Sequence, residues 1–375
     1  MKVLITGSEG FIGKNIRLFL TERKDVEVVC YNRHNSVAQL RDLMHGVGFV
    51  FHLAGVNRPK ALAEFTTDNS DLTQSLCSAA REVAETVGKK IPLLLTSSVQ
   101  ADGDTPYGLS KRAAEEAAFA LRQSHGVSVH VFRLPNVFGK WGRPHYNSAV
   151  ATFCHNIARG LPIQIRDPEA PMSLIYIDDL INYFIQLMDG EITGGDAGGY
   201  ERVTPQYSTT VGDVAKLIYG FKHSRDALTT NSVGTGFVRA LYSTYISYLP
   251  IESFAYAIPQ HTDQRGAFVE ILKTNDSGQF SYFSAHPGVT RGGHYHHSKI
   301  EKFLVVHGRA RFKFRHMHTG EVFELLTSSD KAEVVETVPG WAHDITNIGD
   351  NEMIVVLWAN EVFDRAHPDT YPCQL

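Results

Sequence analysis

Two side chains with complementary acid–base chemistry, Tyr107 and Lys111, stand four residues apart in the sequence. On a helix this spacing places both side chains on the same face. A phenol has a pKa of about 10 in water, and a nearby ammonium group lowers that pKa, which makes the phenol a usable acid or base. Ser98 lies upstream, at the end of an apolar run, where its hydroxyl could hold a substrate oxygen. The pattern predicts Ser98, Tyr107 and Lys111 as catalytic residues for redox chemistry on a small polar substrate, although YxxxK alone is usually a helical surface pair.

A glycine-rich segment follows the first apolar run and leads into a helical pattern. Its first glycine would permit a tight turn, its second would let the backbone approach a pyrophosphate, and its third would let helix and strand pack closely. A lone glycine triplet is also consistent with an ordinary turn. Its position after the first strand favours a dinucleotide site built from Gly7, Gly10, Phe11, Ile12 and Gly13.

The residues after the second apolar run bear on the choice between NAD and NADP. NAD sites usually carry an Asp or Glu there, which binds the ribose 2′-hydroxyl. This chain has Tyr31-Asn32-Arg33-His34 instead, with no carboxylate. Because Arg33 is suited to pair with a 2′-phosphate, the sequence predicts NADP(H) as the cofactor. The alternative is an arginine that contacts only solvent.

Three histidines and one glutamate in the C-terminal third form a second group of potential ligands, namely His294, His296, Glu301 and His343. Alternation along a strand would place His294 and His296 on one face. Imidazoles with one carboxylate suit zinc, iron, manganese or nickel. The spacing predicts a site for a divalent metal, with zinc as the first expectation, and a solvated histidine cluster is the alternative. The adjacent His297 is a further candidate ligand or a substrate-facing base.

The elements that must position these residues differ between the two parts of the chain. Apolar runs alternate with helical patterns at residues 2–6, 26–31, 49–53, 91–96 and 127–134. This alternation predicts an α/β, Rossmann-type, doubly wound parallel sheet covered by helices. After about residue 240, segments such as 309–315 alternate apolar and polar residues, which predicts an all-β small barrel. We therefore expect two domains, at residues 1–243 and 244–375.

The overall composition argues against several classes of protein. Hydrophobic residues make up 43% of the chain and charged residues 20%, which is ordinary for a globular protein. A net charge of −4 without a basic run disfavours nucleic-acid binding. The chain lacks a signal-peptide core and any apolar run of about 18 residues, so we expect a protein that is neither exported nor membrane-spanning. Four scattered cysteines without a CxxC pair are expected to be reduced thiols in the cytoplasm.

Residues 1 to about 240 resemble an extended short-chain dehydrogenase/reductase. The resemblance rests on six motifs, namely GSEGFIG at 7–13, HLAG at 52–55, TSS at 96–98, YGLSK at 107–111, RLPNVFG at 133–139 and YIDD at 176–179. It implies that the Ser, Tyr and Lys act as described above and that three residues lie along the cofactor, namely Leu53, Ala54 and Gly55.

Members of this family commonly act on nucleotide-activated sugars, and the resemblance implies that Asn136, Lys140 and Trp141 shape the sugar-nucleotide site. Trp141 is also consistent with an ordinary core residue, and Lys140 with a solvated charge. The 4,6-dehydratases of the family follow the catalytic Ser or Thr with an Asp-Glu pair, where this chain has Val99-Gln100. This departure favours a reductase over a dehydratase and, less strongly, over an epimerase.

The C-terminal third resembles the cupins. The segment from Gly288 to Gly308 fits the first cupin motif at every fixed position. The second motif departs from the family because Pro339 and Gly340 are adjacent, which puts the turn before His343 in doubt. Upstream, DQRGAFVE at 263–270 resembles the DxRGxFxE stretch of the nucleotide-linked 4-keto-sugar 3,5-epimerases, which share the cupin barrel.

An extended reductase joined to a cupin resembles the bifunctional capsular-polysaccharide enzymes of UDP-N-acetyl-L-fucosamine synthesis. This resemblance implies that the cupin epimerises C3 of a UDP-2-acetamido-2,6-dideoxy-4-hexulose. It also implies that the reductase domain reduces C4 with NADPH to the UDP-2-acetamido-2,6-dideoxy-L-talose, for capsule or O-antigen synthesis. A homodimer is expected because cupins often pair through their strands.

Two other functions remain open at this point. One is a monofunctional NADPH-dependent 4-keto-sugar-nucleotide reductase whose cupin dimerises or binds a ligand. The other is a non-enzymatic NADP-sensing protein, which would have no need of the YxxxK pair.

Overall fold

The computed structural model describes residues 1–193, 199–263, 266–269, 272–274, 278–361 and 366–375. The chain divides into two compact units, each built from separated segments. The first unit contains residues 1–137 and 172–208, and the second contains residues 138–171 and 209–375.

A five-stranded parallel sheet forms the centre of the first unit. Its strands are β1 (Lys2–Thr6), β2 (Glu27–Tyr31), β3 (Val47–His52), β4 (Leu93–Ser98) and β5 (Val129–Leu134). The strand order is β2-β1-β3-β4-β5, and every neighbouring pair is parallel. The order reverses between β1 and β3, which is where doubly wound sheets bind ligands beyond their carboxyl ends. The predicted doubly wound parallel sheet is confirmed.

The first five helices of the first unit lie between these strands in the chain, and a sixth follows them. They are α1 (Phe11–Thr21), α2 (Val37–Leu43), α3 (Ala63–Phe65), α4 (Leu72–Val87), α5 (Pro106–His125) and α7 (Ile177–Asp189). A π-helical segment (Thr66–Asp71) joins α3 to α4, and a 3₁₀ turn (Val99–Asp102) follows β4. Helix α5 begins sharply because the Thr105 hydroxyl accepts a bond from the Gly108 amide and Pro106 occupies the first turn.

Three further helices belong to the second unit and pack on one another, namely α6 (Ala149–Ala158), α8 (Val211–Ala227) and α9 (Gly236–Ile246). A 3₁₀ turn (Ile251–Ser253) follows α9. A separate three-stranded sheet has the order β6 (Asn136–Phe138), β7 (Pro171–Tyr176) and β8 (Tyr207–Thr210). Over the described residues, no helix is both long enough and apolar enough to cross a membrane.

Two five-stranded antiparallel sheets form the β-rich part of the second unit. The first has the order β10 (Ala255–Ala257), β19 (Glu333–Glu336), β16 (Glu301–His307), β21 (Met353–Ala359) and β14 (Gln279–Ala285). The second has the order β18 (Val322–Ser328), β17 (Arg309–His316), β20 (Trp341–Asn347), β15 (Thr290–Tyr295) and β22 (Tyr371–Pro372). Short pairs link β11 (Gln260–Asp263) with β12 (Gly266–Val269) and β9 (Thr229–Thr230) with β13 (Lys273–Thr274).

The alternating pattern at residues 309–315 produces the expected half-buried strand. Ala310, Phe312 and Phe314 of β17 are buried, and the residues between them are more exposed. The ring of Phe312 lies 5.7 Å from that of Phe303 on β16, so the two sheets share a core. The predicted C-terminal all-β fold is confirmed. Within the DxRGxFxE stretch, Arg265 and Glu270 lie outside the described residues.

A buried charged triad joins α8 to the β-rich part of the second unit. The Glu336 carboxylate on β19 pairs with Arg225 of α8 and with Lys302 of β16. The Lys302 ammonium also lies 3.2 Å from the Tyr256 hydroxyl, and the Arg225 guanidinium stacks 4.4 Å from the Tyr256 ring centroid. Glu336 is fully buried, so removing either cation would leave its charge short of a partner. The triad therefore joins residues on both sides of the expected boundary at 243/244 within one compact unit.

Candidate functional site

The glycine-rich turn lies between the end of β1 and the start of α1. Gly7 has a φ of +71°, and a Cβ atom there would lie 2.7 Å from the backbone nitrogen of Ala54. A Cβ atom on Gly13 would lie 2.1 Å from the Gly7 oxygen. A side chain at Gly7 would therefore clash with the backbone that follows β3, and a side chain at Gly13 would clash with the turn itself. The free amides at the start of α1, together with this bare backbone, fit the pyrophosphate of a dinucleotide.

Arg33 lies beyond the end of β2 with its side chain 80% exposed. Its guanidinium is 3.4 Å from the Asp68 carboxylate in the π-helical segment. The neighbouring Asn32 accepts a 2.7 Å hydrogen bond from the Ser8 hydroxyl of the glycine turn. The sequence did not predict this contact between Ser8 and Asn32. The only related signal was the absence of a carboxylate after β2.

Ser98, Tyr107 and Lys111 lie at the end of β4 and in the first turns of α5. The Ser98 hydroxyl accepts a 3.2 Å bond from the Gln100 amide, and the Tyr107 ring lies 5.8 Å from that of Phe65. The buried Lys111 ammonium donates a 3.0 Å bond to the Thr96 carbonyl of β4. Strand β4 and helix α5 thus carry all three predicted catalytic side chains, and a strand–helix scaffold of this kind can hold them rigidly.

The Lys111 ammonium lies close to the predicted cofactor segment. A Cβ atom at Gly55 would be 2.9 Å from the Lys111 Nζ and 3.0 Å from the Asn69 Oδ1. Burial lowers the pKa of Lys111 to about 8, and the negative charge of Glu115 partly opposes this shift. The ammonium therefore exists at neutral pH but titrates only slightly above it.

A buried chain of hydrogen bonds that the sequence did not predict connects β1 to α5. His52 accepts or donates bonds to Thr6 at 2.6 Å and to Thr73 at 2.7 Å, and Thr73 donates to the Asn69 carbonyl at 2.6 Å. The Asn69 amide in turn donates to the Ser110 hydroxyl at 2.9 Å. Burial, together with the Lys111 charge, lowers the pKa of His52 to about 3, so this imidazole is neutral.

Glu115 anchors a second buried network in the first unit. Its carboxylate accepts bonds from the Ser97 hydroxyl, from the Arg133 guanidinium at 2.6 and 2.9 Å, and from the Tyr200 hydroxyl at 3.0 Å. The Arg133 guanidinium stacks 3.8 Å from the Tyr200 ring centroid. Glu115 follows Lys111 by one helical turn, so the two side chains lie on the same face of α5.

The three residues assigned to the sugar-nucleotide site by resemblance occupy different environments. Asn136 is exposed on β6, whereas Lys140 is only 1% exposed, which removes the alternative of a solvated charge. Lys140 and Trp141 belong to the second unit, where the Lys140 ammonium lies 5.8 Å from the Trp141 ring centroid. Their role in substrate binding stays a prediction.

Trp141 packs on the turn at which the second cupin motif departs from the family pattern. A Cβ atom at Gly340 would lie 2.9 Å from the Trp141 ring, and Gly340 has a φ of +83°. The Trp141 ring also contacts the rings of His316 and His318, with centroids 5.9 and 5.8 Å away. The glycine next to Pro339 therefore accommodates a tryptophan, and the turn leads directly into β20 with His343 in place.

His294, His296, Glu301 and His343 converge in the second unit. The potential ligand atoms of these four residues all lie within 4.8 Å of one another. His294 on β15 faces His343 on β20 as its cross-strand partner. The Glu301 Oε2 lies 3.1 Å from the His296 Nε2 and 3.6 Å from the His343 Nε2. The sheet register therefore brings together residues that are far apart in the sequence.

The electrostatics of this cluster suit a metal ligand set. Burial, aided by the neighbouring His343 and His296, lowers the pKa of His294 to about 3 and keeps its imidazole neutral. Burial alone would raise the pKa of Glu301, but the neighbouring side chains of His296, His343 and Lys299 outweigh burial and hold that pKa well below its usual range. Neutral imidazoles and an ionised carboxylate are the protonation states that bind divalent zinc, iron, manganese or nickel.

His297 is not part of this cluster. Its ring packs between Tyr295 and Tyr371, with centroids 5.6 and 4.8 Å away. Among the described residues, the group whose potential ligand atoms converge contains His294, His296, Glu301 and His343, and a role for His297 as a ligand or a substrate-facing base stays a prediction.

The chain resembles known proteins along its whole length. The sequence profile of the NAD dependent epimerase/dehydratase family matches residues 3–197. A "UDP-2-acetamido-2,6-beta-L-arabino-hexul-4-ose reductase" of Pseudomonas aeruginosa is 58% identical over 375 residues, covering 100% of this chain and 99% of the relative. The chain belongs to the NAD dependent epimerase/dehydratase family. This family member also matches the profile described as "Polysaccharide biosynthesis C-terminal domain" at residues 261–371.

Solved structures extend these likenesses. The capsular polysaccharide assembling protein CapF from Staphylococcus aureus is 39% identical with a TM-score of 0.67, and the match covers 100% of both chains. A UDP-glucuronic acid 4-epimerase from Bacillus cereus, solved with UDP-glucuronic acid and NAD, is 18% identical with a TM-score of 0.51 over 59% of this chain and 83% of that one. The epimerase supports the fold alone. The predicted likeness to two-domain capsule-synthesis enzymes is confirmed.

Proposed function

We propose that this protein is a bifunctional sugar-nucleotide enzyme that epimerises C3 of a UDP-2-acetamido-2,6-dideoxy-4-hexulose and reduces its C4 ketone with NADPH. The product would be the UDP-2-acetamido-2,6-dideoxy-L-talose, used for capsule or O-antigen synthesis. The observation that carries the proposal is the position of the buried Lys111 ammonium. It lies one helical turn from Tyr107 and next to Gly55 of the predicted cofactor segment. The Pseudomonas aeruginosa relative is a reductase of a UDP-linked hexulose by name, which supports the substrate.

The reductive half follows from the roles of three side chains. Bound NADPH supplies the hydride that reaches C4 of the ketone. Tyr107 donates its phenolic proton to the C4 oxygen as that oxygen gains negative charge. The Lys111 ammonium stabilises the phenolate that remains, and the Ser98 hydroxyl donates a hydrogen bond to the same substrate oxygen.

The epimerising half depends on the acidity that the C4 ketone gives to the proton at C3. A base can remove this proton and a proton can return on the opposite face, and reduction at C4 then prevents reversal. His294, His296, Glu301 and His343 would hold a divalent metal, with zinc the first expectation. Such a metal would supply positive charge to the substrate oxygen or would stabilise the barrel.

The proposal includes two features of the whole molecule. We infer a homodimer, because cupin proteins often associate through their strands, and sedimentation of the purified protein would measure this. We also infer a cytoplasmic location, which the four free thiols support.

The proposal is tested by incubating the full-length protein with the UDP-linked 4-hexulose in D₂O, with and without NADPH. We expect deuterium at C3 in both reactions, and one equivalent of NADPH consumed with a talo product identified by NMR. Reduction without C3 exchange would leave a monofunctional reductase. Tight NADPH binding without turnover would leave a cofactor sensor.

The ionisation of Lys111 should set the upper pH limit of reduction. Because the pKa of Lys111 is about 8 and the ammonium is the active form, kcat/KM should fall above about pH 8, by roughly tenfold per pH unit. Glu115→Gln should move this limit to lower pH, because the carboxylate raises the pKa of Lys111. The measurement is a pH profile of NADPH oxidation.

The matched control for this profile is Glu116→Gln, which removes an exposed carboxylate from the next position of α5. It should leave the profile where it is in the parent protein. A parent profile that stays flat to pH 9.5, or an unshifted profile for Glu115→Gln, would contradict the role given to the ammonium.

Arg33 should determine the preference for NADPH over NADH. A charged hydrogen bond to a 2′-phosphate contributes about 1.5–3 kcal/mol, so Arg33→Ala should raise the KM for NADPH by roughly 10- to 100-fold. The KM for NADH should stay the same. Arg41→Ala, at another exposed arginine of the first unit, is the control. An equal rise in KM for both cofactors would show that Arg33 does not bind the 2′-phosphate.

A further inference from the structure

The last described residues of the chain lie along the segment that carries two of the four clustered ligands. We call Asp369–Cys373 the C-terminal strap. Its strand β22 pairs with β15, with Tyr371 opposite Tyr295 and Pro372 opposite His294. The Cys373 amide also donates a 2.7 Å bond to the Gly293 carbonyl. The strap is therefore held against the chain on both sides of His294.

The Asp369 carboxylate holds the backbone between His296 and Glu301. Its Oδ1 accepts a 2.8 Å bond from the His297 amide, and its Oδ2 accepts 2.7 Å bonds from the Ser298 and Lys299 amides. The Ser298 hydroxyl adds a fourth bond of 3.1 Å. Three successive amides that point at one anion form a nest, and here the anion comes from the distant end of the chain.

The backbone of Asp369 acts on His296 itself. The His296 Nδ1 bonds to the Asp369 carbonyl oxygen, which can only accept, so Nδ1 carries the proton. The other ring nitrogen, Nε2, is the atom that faces the cluster, 3.1 Å from the Glu301 carboxylate. A carbonyl bonded to the remote nitrogen is the usual way in which a metal-binding imidazole is oriented.

A third contact connects the strap to Glu301. The Lys299 ammonium lies 3.0 Å from the Thr370 hydroxyl and 3.5 Å from the Glu301 Oε1. The strap thus reaches the imidazole of His296, the backbone that follows it, and the cation beside the carboxylate ligand.

We propose that Asp369 is a positioning residue for the metal centre. Its side chain fixes the turn that separates His296 from Glu301, and its carbonyl selects the His296 tautomer that presents Nε2 to the metal. This inference rests on the metal site proposed above. Asp369 is not among the four clustered residues, and its effect should appear as a change in metal affinity.

The test uses full-length protein and Zn²⁺ alone, with affinity measured by competition against a chromophoric chelator. Asp369→Asn replaces one acceptor oxygen by an amide donor that faces backbone N–H groups, and it should weaken zinc binding by about 10- to 100-fold. Asp369→Glu keeps the charge but shifts it by one methylene. Its zinc affinity should lie between that of the parent protein and that of Asp369→Asn. Asp330→Asn makes the same exchange at an exposed aspartate of the second unit and should match the parent.

The outcomes separate the two proposals. A folded Asp369→Asn protein, verified by circular dichroism, that binds zinc as tightly as the parent would overturn the positioning role. If Asp369→Asn does not fold, Asp369→Glu decides, because parental affinity in that variant would overturn the role and weaker binding would support it. A parent protein that binds no zinc would overturn the metal site and, with it, the role of Asp369.

Discussion

Replacing Tyr107 with phenylalanine should reduce the rate of NADPH-dependent reduction by about 10²- to 10⁴-fold, the usual contribution of a general acid. Only the phenolic oxygen is lost, and the ring can still pack on Phe65. The affinity for NADPH should therefore stay close to that of the parent protein. The measurement is single-turnover oxidation of NADPH in the presence of the UDP-linked 4-hexulose.

The same variant should leave deuterium exchange at C3 unchanged, because that reaction is assigned to the C-terminal part of the chain, which carries the cluster of three histidines and Glu301. Tyr219→Phe, which removes an exposed phenol from α8, is the matched control and should reduce substrate at the parental rate. Parental reduction by Tyr107→Phe would refute the assignment of the proton donor. Loss of C3 exchange in that variant would show that the two reactions share a site.

Glu301→Gln should produce the opposite pattern. It removes the carboxylate that faces His296 and His343 with almost no change in shape, so metal content and C3 exchange should both fall by at least about 100-fold. Reduction of a substrate that already has the epimerised C3 should continue at the parental rate. Metal analysis and NMR detection of deuterium at C3 measure the two effects.

Glu321→Gln, at an exposed glutamate of the same unit, is the control for this substitution. A Glu301→Gln protein that loses its metal but retains C3 exchange would show that the metal has no part in the chemistry. A large fall in the melting temperature on metal loss, with exchange restored at low temperature, would assign the metal a structural role instead.

The parts of the site that the sequence predicted are those that depend on local spacing. Tyr107 and Lys111 face one way because they are one helical turn apart, and Gly7 and Gly13 bracket a single strand–helix turn. The four potential ligands are a more demanding case, because His343 reaches the others only through the pairing of β20 with β15. The prediction of that cluster came from the resemblance to the cupin motifs as well as from spacing.

The parts that the sequence did not predict depend on contacts between distant segments. His52 begins the HLAG motif at 52–55, but the motif does not identify its partners, because its hydrogen bonds to Thr6 and Thr73 follow from the order of the sheet and the packing of α4. Asp369 lies in a short polar tail without periodicity, and its three backbone partners are about seventy positions earlier. No pattern of residue types near Asp369 specifies those partners, because backbone amides are the same at every position.

The triad of Arg225, Lys302 and Glu336 limits where the coding sequence can be cut to give a stable C-terminal fragment. A polypeptide starting at residue 244 would keep Lys302 and Glu336 but would lose Arg225 together with the buried faces of α8 and α9. Breaking a buried ion pair in this way costs about 3–5 kcal/mol, a large share of the stability of a domain. A gene fusion made at that junction should therefore encode a destabilised C-terminal domain. A stable fragment that carries the metal cluster has to include the helices before it.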